Sequence, residues 1–338
     1  QCRGYHTGHL RTFRAPARAR GPRPEPPRGC PAMGSFIPNS WLYAVPPAGG
    51  KVILVTGANS GLGYESSLAF AKAGATVVML CRNETRGNEA LASIKKKVPD
   101  ANVDMWICDV SSLASVREFS ERFSKAVDRV DVLCNNAGVM AIKDLELTPD
   151  GVERQMATNH LGHFALTGLL FANNVLAEDV RIVNVSSMLH TSVNSVSGLN
   201  DNFSYQGRYD PWRVYGETKL ANVLFTRELN KRFRAKGKGA VAVAAHPGYS
   251  ATNLQTDRMP LYWLLNGLFA QSQARGALPQ IRACLDADVR ADDYWGPRWT
   301  AFGSPVRAAT SAAAKDDAAA QRLWEVSAEL TSVGFDGL

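Results

Sequence analysis

The chain has 338 residues, 45% hydrophobic and 20% charged, which is ordinary for a globular protein and leaves room for one large domain or two small ones. Its formal charge of +7 is concentrated at the start, where residues 1–32 hold seven arginines against Glu25 alone. The remainder is close to neutral and has no basic patch with interleaved aromatics, which argues against nucleic acid as a partner.

Residues 1–32 are rich in Arg, Pro and Gly without apolar periodicity, and are expected to form a disordered leader. An Arg-rich, acid-poor start fits a transit peptide to a plastid or mitochondrion. A fragment boundary at Gln1 and initiation at Met33 are competing readings, and without a transit peptide the cytoplasm is expected. Cys2, Cys30, Cys81, Cys108, Cys134 and Cys284 show neither zinc nor Cys-x-x-Cys spacing and read as free thiols of a reducing compartment. No apolar run reaches the roughly 18 residues of a membrane span. Residues 33–50, with Trp41, Tyr43, Pro46-Pro47 and Gly49-Gly50, read as an entry segment and linker to a single domain over 51–338.

Lys51–Val55 is a short β-rich run, followed at once by Thr56-Gly57-Ala58-Asn59-Ser60-Gly61-Leu62-Gly63 and a helical pattern from Glu65 to Ala73. Strand, glycine turn and helix are the context of a phosphate-binding loop. Glycines allow close backbone approach, and the free N–H groups at the helix start face the pyrophosphate. The next strand, Ala75–Leu80, ends in Cys81-Arg82-Asn83, the position that lies beside the adenosine ribose in such folds. An acid there would favour NAD; the arginine fork of Arg82 suits a 2′-phosphate, so NADP(H) is expected over NAD(H). A helix over Glu84–Lys97 and a strand over Val103–Cys108 lead to Asp109-Val110. Asp109 reads either as a bond to the adenine amino group or as a carboxylate at the start of the next helix, Val116–Val127. The fourth strand, Val130–Cys134, ends in Asn135-Asn136-Ala137-Gly138, whose small residues can pass close under a cofactor.

Further along, Tyr215-Gly216-Glu217-Thr218-Lys219 places a phenol and an amine four residues apart, on one helix face. A cation near the hydroxyl favours the phenolate and brings its pKa towards the working range. Thr56–Gly63, Asn135–Gly138, Tyr215-x-x-x-Lys219 and Pro247-Gly248 stand in the order and spacing of the short-chain dehydrogenase/reductase superfamily, which roughly residues 50–255 resemble. Cys81-Arg82-Asn83, Thr158–Phe164 (TNHLGHF) and Lys219–Phe225 (KLANVLF) resemble the branch of retinol dehydrogenases and their bacterial and plant relatives, with protochlorophyllide reductases as cousins.

The resemblance implies an α/β fold: one doubly wound Rossmann-type domain with a parallel sheet in the order 3-2-1-4-5-6-7, helices on both faces and a small C-terminal lid. It implies that Asn159, on a long helix over Met156–Phe171, bonds a helix carbonyl, kinks the helix and holds a water that reaches Lys219. His160 and His163 read as packing or capping residues, and no metal site is expected. The resemblance gives Ser187, at the tip of the fifth strand (Val180–Val185), the substrate oxygen, with Ser186 in second place. The 27 residues between Ser187 and Tyr215 include Asn202, Phe203, Tyr205, Tyr209 and Trp212 and are expected to wall the substrate pocket. After a helix over Tyr215–Phe233 and a sixth strand over Ala240–Ala245, Pro247-Gly248 makes a turn beside the nicotinamide. Thr252 can hold its carboxamide or the phosphates.

Residues 259–269 (MPLYWLLNGLF) read as a lid over a hydrophobic substrate, a peripheral membrane contact, or a plain core or interface helix. The lid is expected to occupy about 253–300. A helix over Ala274–Leu285, an irregular turn or last strand over Tyr294–Gly303 and an amphipathic helix over Asp316–Leu330 complete the chain. The leading reading is an NADP(H)-dependent oxidoreductase interconverting an alcohol and a carbonyl on a fairly hydrophobic small molecule, with Tyr215 as acid/base. A protochlorophyllide-type double-bond reductase and a non-catalytic dinucleotide-binding regulator are the alternatives. A homodimer is among the states the resemblance allows.

Overall fold

The computed structural model describes residues 43–249, 272–335 and 338. Eight strands form one sheet: β1 (Val52–Thr56), β2 (Thr76–Cys81), β3 (Val103–Ile107), β4 (Val130–Asn135), β5 (Leu176–Val185), β6 (Val241–Ala245), β7 (Tyr294–Pro297) and β8 (Pro305–Arg307). Their order is β3-β2-β1-β4-β5-β6-β7-β8. The first seven match the expected order and pair in parallel. The eighth extends the expected sheet: it folds back antiparallel on β7, with Pro305 opposite Pro297. Proline lacks the N–H that a further strand would need, which suits an outermost position.

The apolar strands are nearly continuous because both sheet faces are covered. Ile53 and Val55 of β1 enter one core with Phe70 of α1 (Gly61–Lys72), Ile94 of α2 (Glu84–Lys97) and Ile281 of α8 (Leu278–Leu285). Leu54, pointing the other way, packs with Phe119 of α3 (Leu113–Ser124), Phe164 of α5 (Gly162–Ala172) and Phe225 of α6 (Pro211–Ala235). The last helix, α9 (Asp317–Thr331), covers α6 and brings Trp324 to within 5.1 Å of Phe164 and 4.4 Å of Phe335, between ring centroids. Each such buried aromatic contributes about 1.5–3 kcal/mol by burial alone.

Two expectations need correction. The span expected to be lid also holds sheet and core elements: a short α7 (Gln273–Gly276) leads into α8, whose Ile281 and Cys284 are buried in the core, and then to β7. Arg181 Nη1 donates to the carbonyls of Cys284 (3.1 Å) and Asp286 (2.8 Å), tying the end of α8 to β5. The long helix over 156–171 is also not uniform. A short α4 (Arg154–Met156) passes through a π-helical turn, Ala157–Leu161, into α5. Thr252 and the segment 259–269 lie outside the described residues.

Candidate active site

The C-terminal tips of β1, β2, β4, β5 and β6 carry the motifs, and the connections of β1 and β4 leave in opposite directions. Such a switch point is where open parallel sheets bind ligands. At the β1 tip, Gly57 and Gly61 have φ of +65° and +58°, which glycine adopts freely. A Cβ on Gly63 would meet the Gly57 carbonyl oxygen at 2.3 Å and Asn136 Nδ2 at 2.6 Å. Ser60 caps α1 without a side-chain hydrogen bond, so the first-turn N–H groups keep their full donor capacity. The half-buried Asn59 and buried Leu62 complete this turn.

Thr56 is fully buried, and it braces the loop rather than lining its mouth. Its hydroxyl oxygen accepts from the backbone N–H groups of Asn136 (2.9 Å) and Ala137 (2.8 Å). Asn136 Nδ2 returns a bond to the Thr56 carbonyl (2.8 Å), and its oxygen accepts from the buried Gln280 of α8 (3.0 Å). Gln280 belongs to no motif of the sequence, and its buried amide also donates to Ser66 at 2.8 Å. Arg82 is exposed at the β2 tip and has no ion pair among the described residues. The N-cap of α3 is Ser112, not Asp109. Asp109 Oδ1 accepts from the N–H and hydroxyl of Ser111 in a local turn. The Val110 side chain is in the core, so only its backbone can face a ligand.

Asn159 sits in the π-turn, fully buried. Its side chain does not bond a helix carbonyl as expected. Its oxygen accepts from Val139 N–H (2.8 Å), and its amide donates to the Val139 carbonyl and the Thr218 hydroxyl, both at 2.9 Å. The π-turn supplies the kink. Gly138 lies against this group: its missing Cβ would stand 3.2 Å from Asn159 Oδ1 and 3.5 Å from Lys219 Nζ.

Helix α6 begins at Pro211, where Asp210 accepts from Arg213 N–H at 2.7 Å. It presents Tyr215 and Lys219 on one buried face, with the ammonium 5.6 Å from the phenol ring centroid. Lys219 Nζ donates to the Val185 carbonyl at 3.1 Å. The Ser187 hydroxyl accepts from Leu189 N–H at 3.2 Å and acts on the Tyr215 phenol by favouring its phenolate. Ser186 instead donates to the Lys219 carbonyl (2.8 Å), anchoring α6 to β5. Burial dominates both titrations: it pushes Tyr215 up to about 12, opposed by the Ser187 hydroxyl, and Lys219 down to about 8. Removing the phenolate from water thus works against the fall in pKa that a neighbouring cation favours.

The insert before Tyr215 is mostly scaffold. Phe203 and Tyr205 are buried, Tyr205 donates to Glu217 (2.8 Å), and Tyr209 donates to the Ile142 carbonyl (2.6 Å). Trp212, half exposed, does line a groove of about 650 Å³ with Leu189, Val193 and Arg213. His160 and His163 are buried, as expected of packing residues. At the β6 tip, Gly248 has φ of +70°, and Tyr249 N–H donates to the Ala301 carbonyl (2.9 Å), so the β7–β8 hairpin fixes the Pro247-Gly248 turn.

A glycine turn at a helix start, a switch point, and Asn, Ser, Tyr and Lys gathered beside it define the nicotinamide-dependent dehydrogenases and reductases. The chain belongs to the short chain dehydrogenase family, whose model matches residues 51–261. It is 35% identical over 293 residues to retinol dehydrogenase 12 of Mus musculus, covering 85% of this chain and 88% of that protein. It is 34% identical over 299 residues to retinol dehydrogenase 13 of Homo sapiens, covering 84% and 85%. The crystal structure of an uncharacterised protein from Mycobacterium paratuberculosis, 38% identical, superposes with a TM-score of 0.71 over 86% of this chain and 97% of that one. The chain is therefore an oxidoreductase of the retinol-dehydrogenase-like branch. The residues present fit the family's nicotinamide dinucleotide, since the Gly57–Gly63 turn packs too tightly on Ala137 and Asn136 to carry side chains at Gly57 and Gly63 and leaves the first N–H groups of α1 without a side-chain cap.

Proposed function

We propose that this protein is an NADP(H)-dependent oxidoreductase that interconverts an alcohol and a carbonyl on a fairly hydrophobic small molecule. The observation that carries this reading is the convergence of Asn159, Ser187, Tyr215 and Lys219 at the C-terminal ends of β4 and β5, beside Gly138. The Gly57–Gly63 turn and the Asn136–Gly138 turn would hold the dinucleotide, with Arg82 for a 2′-phosphate. When bound, the nicotinamide supplies or accepts the hydride.

The protein's own residues handle the oxygen and its proton. Ser187 orients the substrate oxygen and shares its developing charge. Tyr215 as the phenol gives the proton to that oxygen, or as the phenolate takes it in the reverse direction. Lys219, held by the Val185 carbonyl, places its charge beside the phenol as that proton leaves. Asn159 fixes the Val139 backbone and Thr218 around them.

Relatives named as retinol dehydrogenases support an apolar alcohol of retinoid type as substrate class. The test is a cofactor-oxidation screen with NADPH and NADH over aldehydes, ketones and retinoids. Turnover of an apolar aldehyde with NADPH preferred is expected. No turnover with any carbonyl, or equal use of NADH, would overturn the corresponding part.

A further inference from the structure

Two buried side chains outside every motif converge on the main-chain carbonyl of Ser187. His190 belongs to the 3-10 turn Met188–Ser192 that follows β5, and Tyr294 opens β7. His190 Nδ1 lies 2.8 Å and the Tyr294 hydroxyl 3.1 Å from the Ser187 carbonyl oxygen. The His190 backbone N–H reaches the same oxygen at 3.1 Å. His190 and Tyr294 are only 1% and 4% exposed, and their rings meet edge-to-face at 5.0 Å.

The histidine's tautomer follows from its other nitrogen. Nε2 lies 3.3 Å from the backbone N–H of Ser311, which can only donate. Nε2 is therefore the acceptor, Nδ1 carries the proton, and Nδ1–H donates to Ser187. Burial pushes the Tyr294 phenol upward, so its O–H also remains a donor. His246 stacks on Tyr294 at 5.2 Å and holds its ring. One carbonyl oxygen thus faces donors from two separate parts of the chain. Fixing this oxygen fixes the plane of the peptide that follows Ser187 and so holds the turn whose Leu189 N–H donates to the serine hydroxyl at 3.2 Å.

We propose that His190 and Tyr294 are positioning residues that hold the Ser187 hydroxyl against the Tyr215 phenol. The inference rests on the proposed function for its kinetic consequence, but not for its geometry. The array also links the site to the C-terminal part of the sheet, since Tyr294 and Ser311 lie on either side of β8.

The test uses the full chain with Tyr294→Phe, His190→Leu and His190→Asn. Tyr294→Phe and His190→Leu are expected to lower kcat by roughly 10- to 100-fold, the cost of a misplaced reacting group, with dinucleotide affinity near that of wild type; Tm should stay near wild type in Tyr294→Phe and fall in His190→Leu, which removes the acceptor of the Ser311 N–H. His190→Asn, whose amide can place an N–H near the Nδ1 position, should recover most of that loss. In a Ser187→Ala background, Tyr294→Phe should lower kcat no further. An equal loss in that background, or unchanged kcat in the single variants, would overturn the proposal.

Nitrogen-15 NMR of labelled histidine gives a second reading that needs no turnover. His190 should be neutral with its proton on Nδ1, and its Nδ1 resonance should shift in Tyr294→Phe. A proton on Nε2, or no shift, overturns the inference even if the enzyme is active. Absence of turnover in the wild type, with the expected tautomer and shift, would instead sink the proposed function alone.

Discussion

His163 Nε2 lies 2.9 Å from the Thr56 hydroxyl oxygen, joining α5 to the tip of β1 where the Gly57–Gly63 turn begins. Thr56 already accepts two backbone N–H groups, so its proton goes to His163 rather than to the more distant Cys134 carbonyl at 3.5 Å. His163 Nδ1 then donates to the Asn159 carbonyl at 3.1 Å. Burial holds this imidazole down at about 4, so it is neutral at pH 7. In the unfolded chain it binds a proton below its ordinary value of about 6.5. Stability from this group is therefore present above pH 6.5 and lost as pH falls from there towards 4. His163→Leu should cost about 1–3 kcal/mol at pH 7 by leaving the Thr56 hydroxyl without its acceptor. It should also flatten the acid limb of stability. Urea unfolding at a series of pH values measures both, and an acid limb as steep as in wild type would contradict the assignment.

Lys219 is held at about 8 by burial, below its ordinary 10.5. The unfolded chain keeps the proton that the folded chain gives up, so the buried ammonium costs stability in full below pH 8. That cost declines as pH rises from 8 towards 10.5. Lys219→Met should stabilise the protein by about 1–3 kcal/mol at pH 7 while abolishing turnover. The gain should shrink between pH 8 and 10.5. A destabilised Lys219→Met protein at pH 7 would show that the Val185 bond outweighs the desolvation.

Arg82 stands exposed at the β2 tip, with the side chain of its neighbour Asn83 capping α2 by accepting from Arg86 N–H at 2.9 Å. A guanidinium with no ion pair among the described residues favours a phosphate over a hydroxyl there. Arg82→Gln should weaken NADPH by about 10-fold or more, the worth of one charge-assisted contact, and leave NADH within about 2-fold. Titration of nicotinamide fluorescence checks this. Equal loss for both cofactors would move the 2′-phosphate site elsewhere.

The legibility of this chain in its sequence was uneven for physical reasons. Strands buried on both faces read as apolar runs, so β1 to β6 and their order followed from the glycine turn and the resemblance. The phenol–amine pair was legible because helical spacing of four places both on one face. Side chains that act by bonding backbone were not legible. Thr56 and Asn159 look like ligand-facing residues, yet spend their polar atoms on the Asn136, Ala137 and Val139 backbones. The start of α6 carries its own signal ahead of Tyr215: Asp210-Pro211 is an N-cap followed by a first-turn proline. Strand β8 is three residues long with a proline at its start, too short to carry a periodic signal. His163 could have been anticipated, since it lies four residues after Asn159, but its Thr56 partner is 107 residues away.

Gly63 and Gly49 give a paired test of the cradle. A methyl group on Gly63 would stand 2.3 Å from the Gly57 carbonyl oxygen and 2.6 Å from Asn136 Nδ2. The first contact is backbone on a turn that cannot retreat, because Thr56 and Asn136 brace it from behind. A methyl on Gly49 meets nothing within 4 Å. Gly63→Ala should therefore cost about 1–3 kcal/mol, the usual penalty of overpacking, and weaken dinucleotide binding by at least about 10-fold. Gly49→Ala should change stability by less than about 0.5 kcal/mol and leave binding intact. Thermal unfolding with and without NADPH separates the two effects: the ligand-induced rise in Tm should vanish in Gly63→Ala and persist in Gly49→Ala. A Gly63→Ala protein that keeps the full ligand-induced rise would mean that the dinucleotide does not approach this turn.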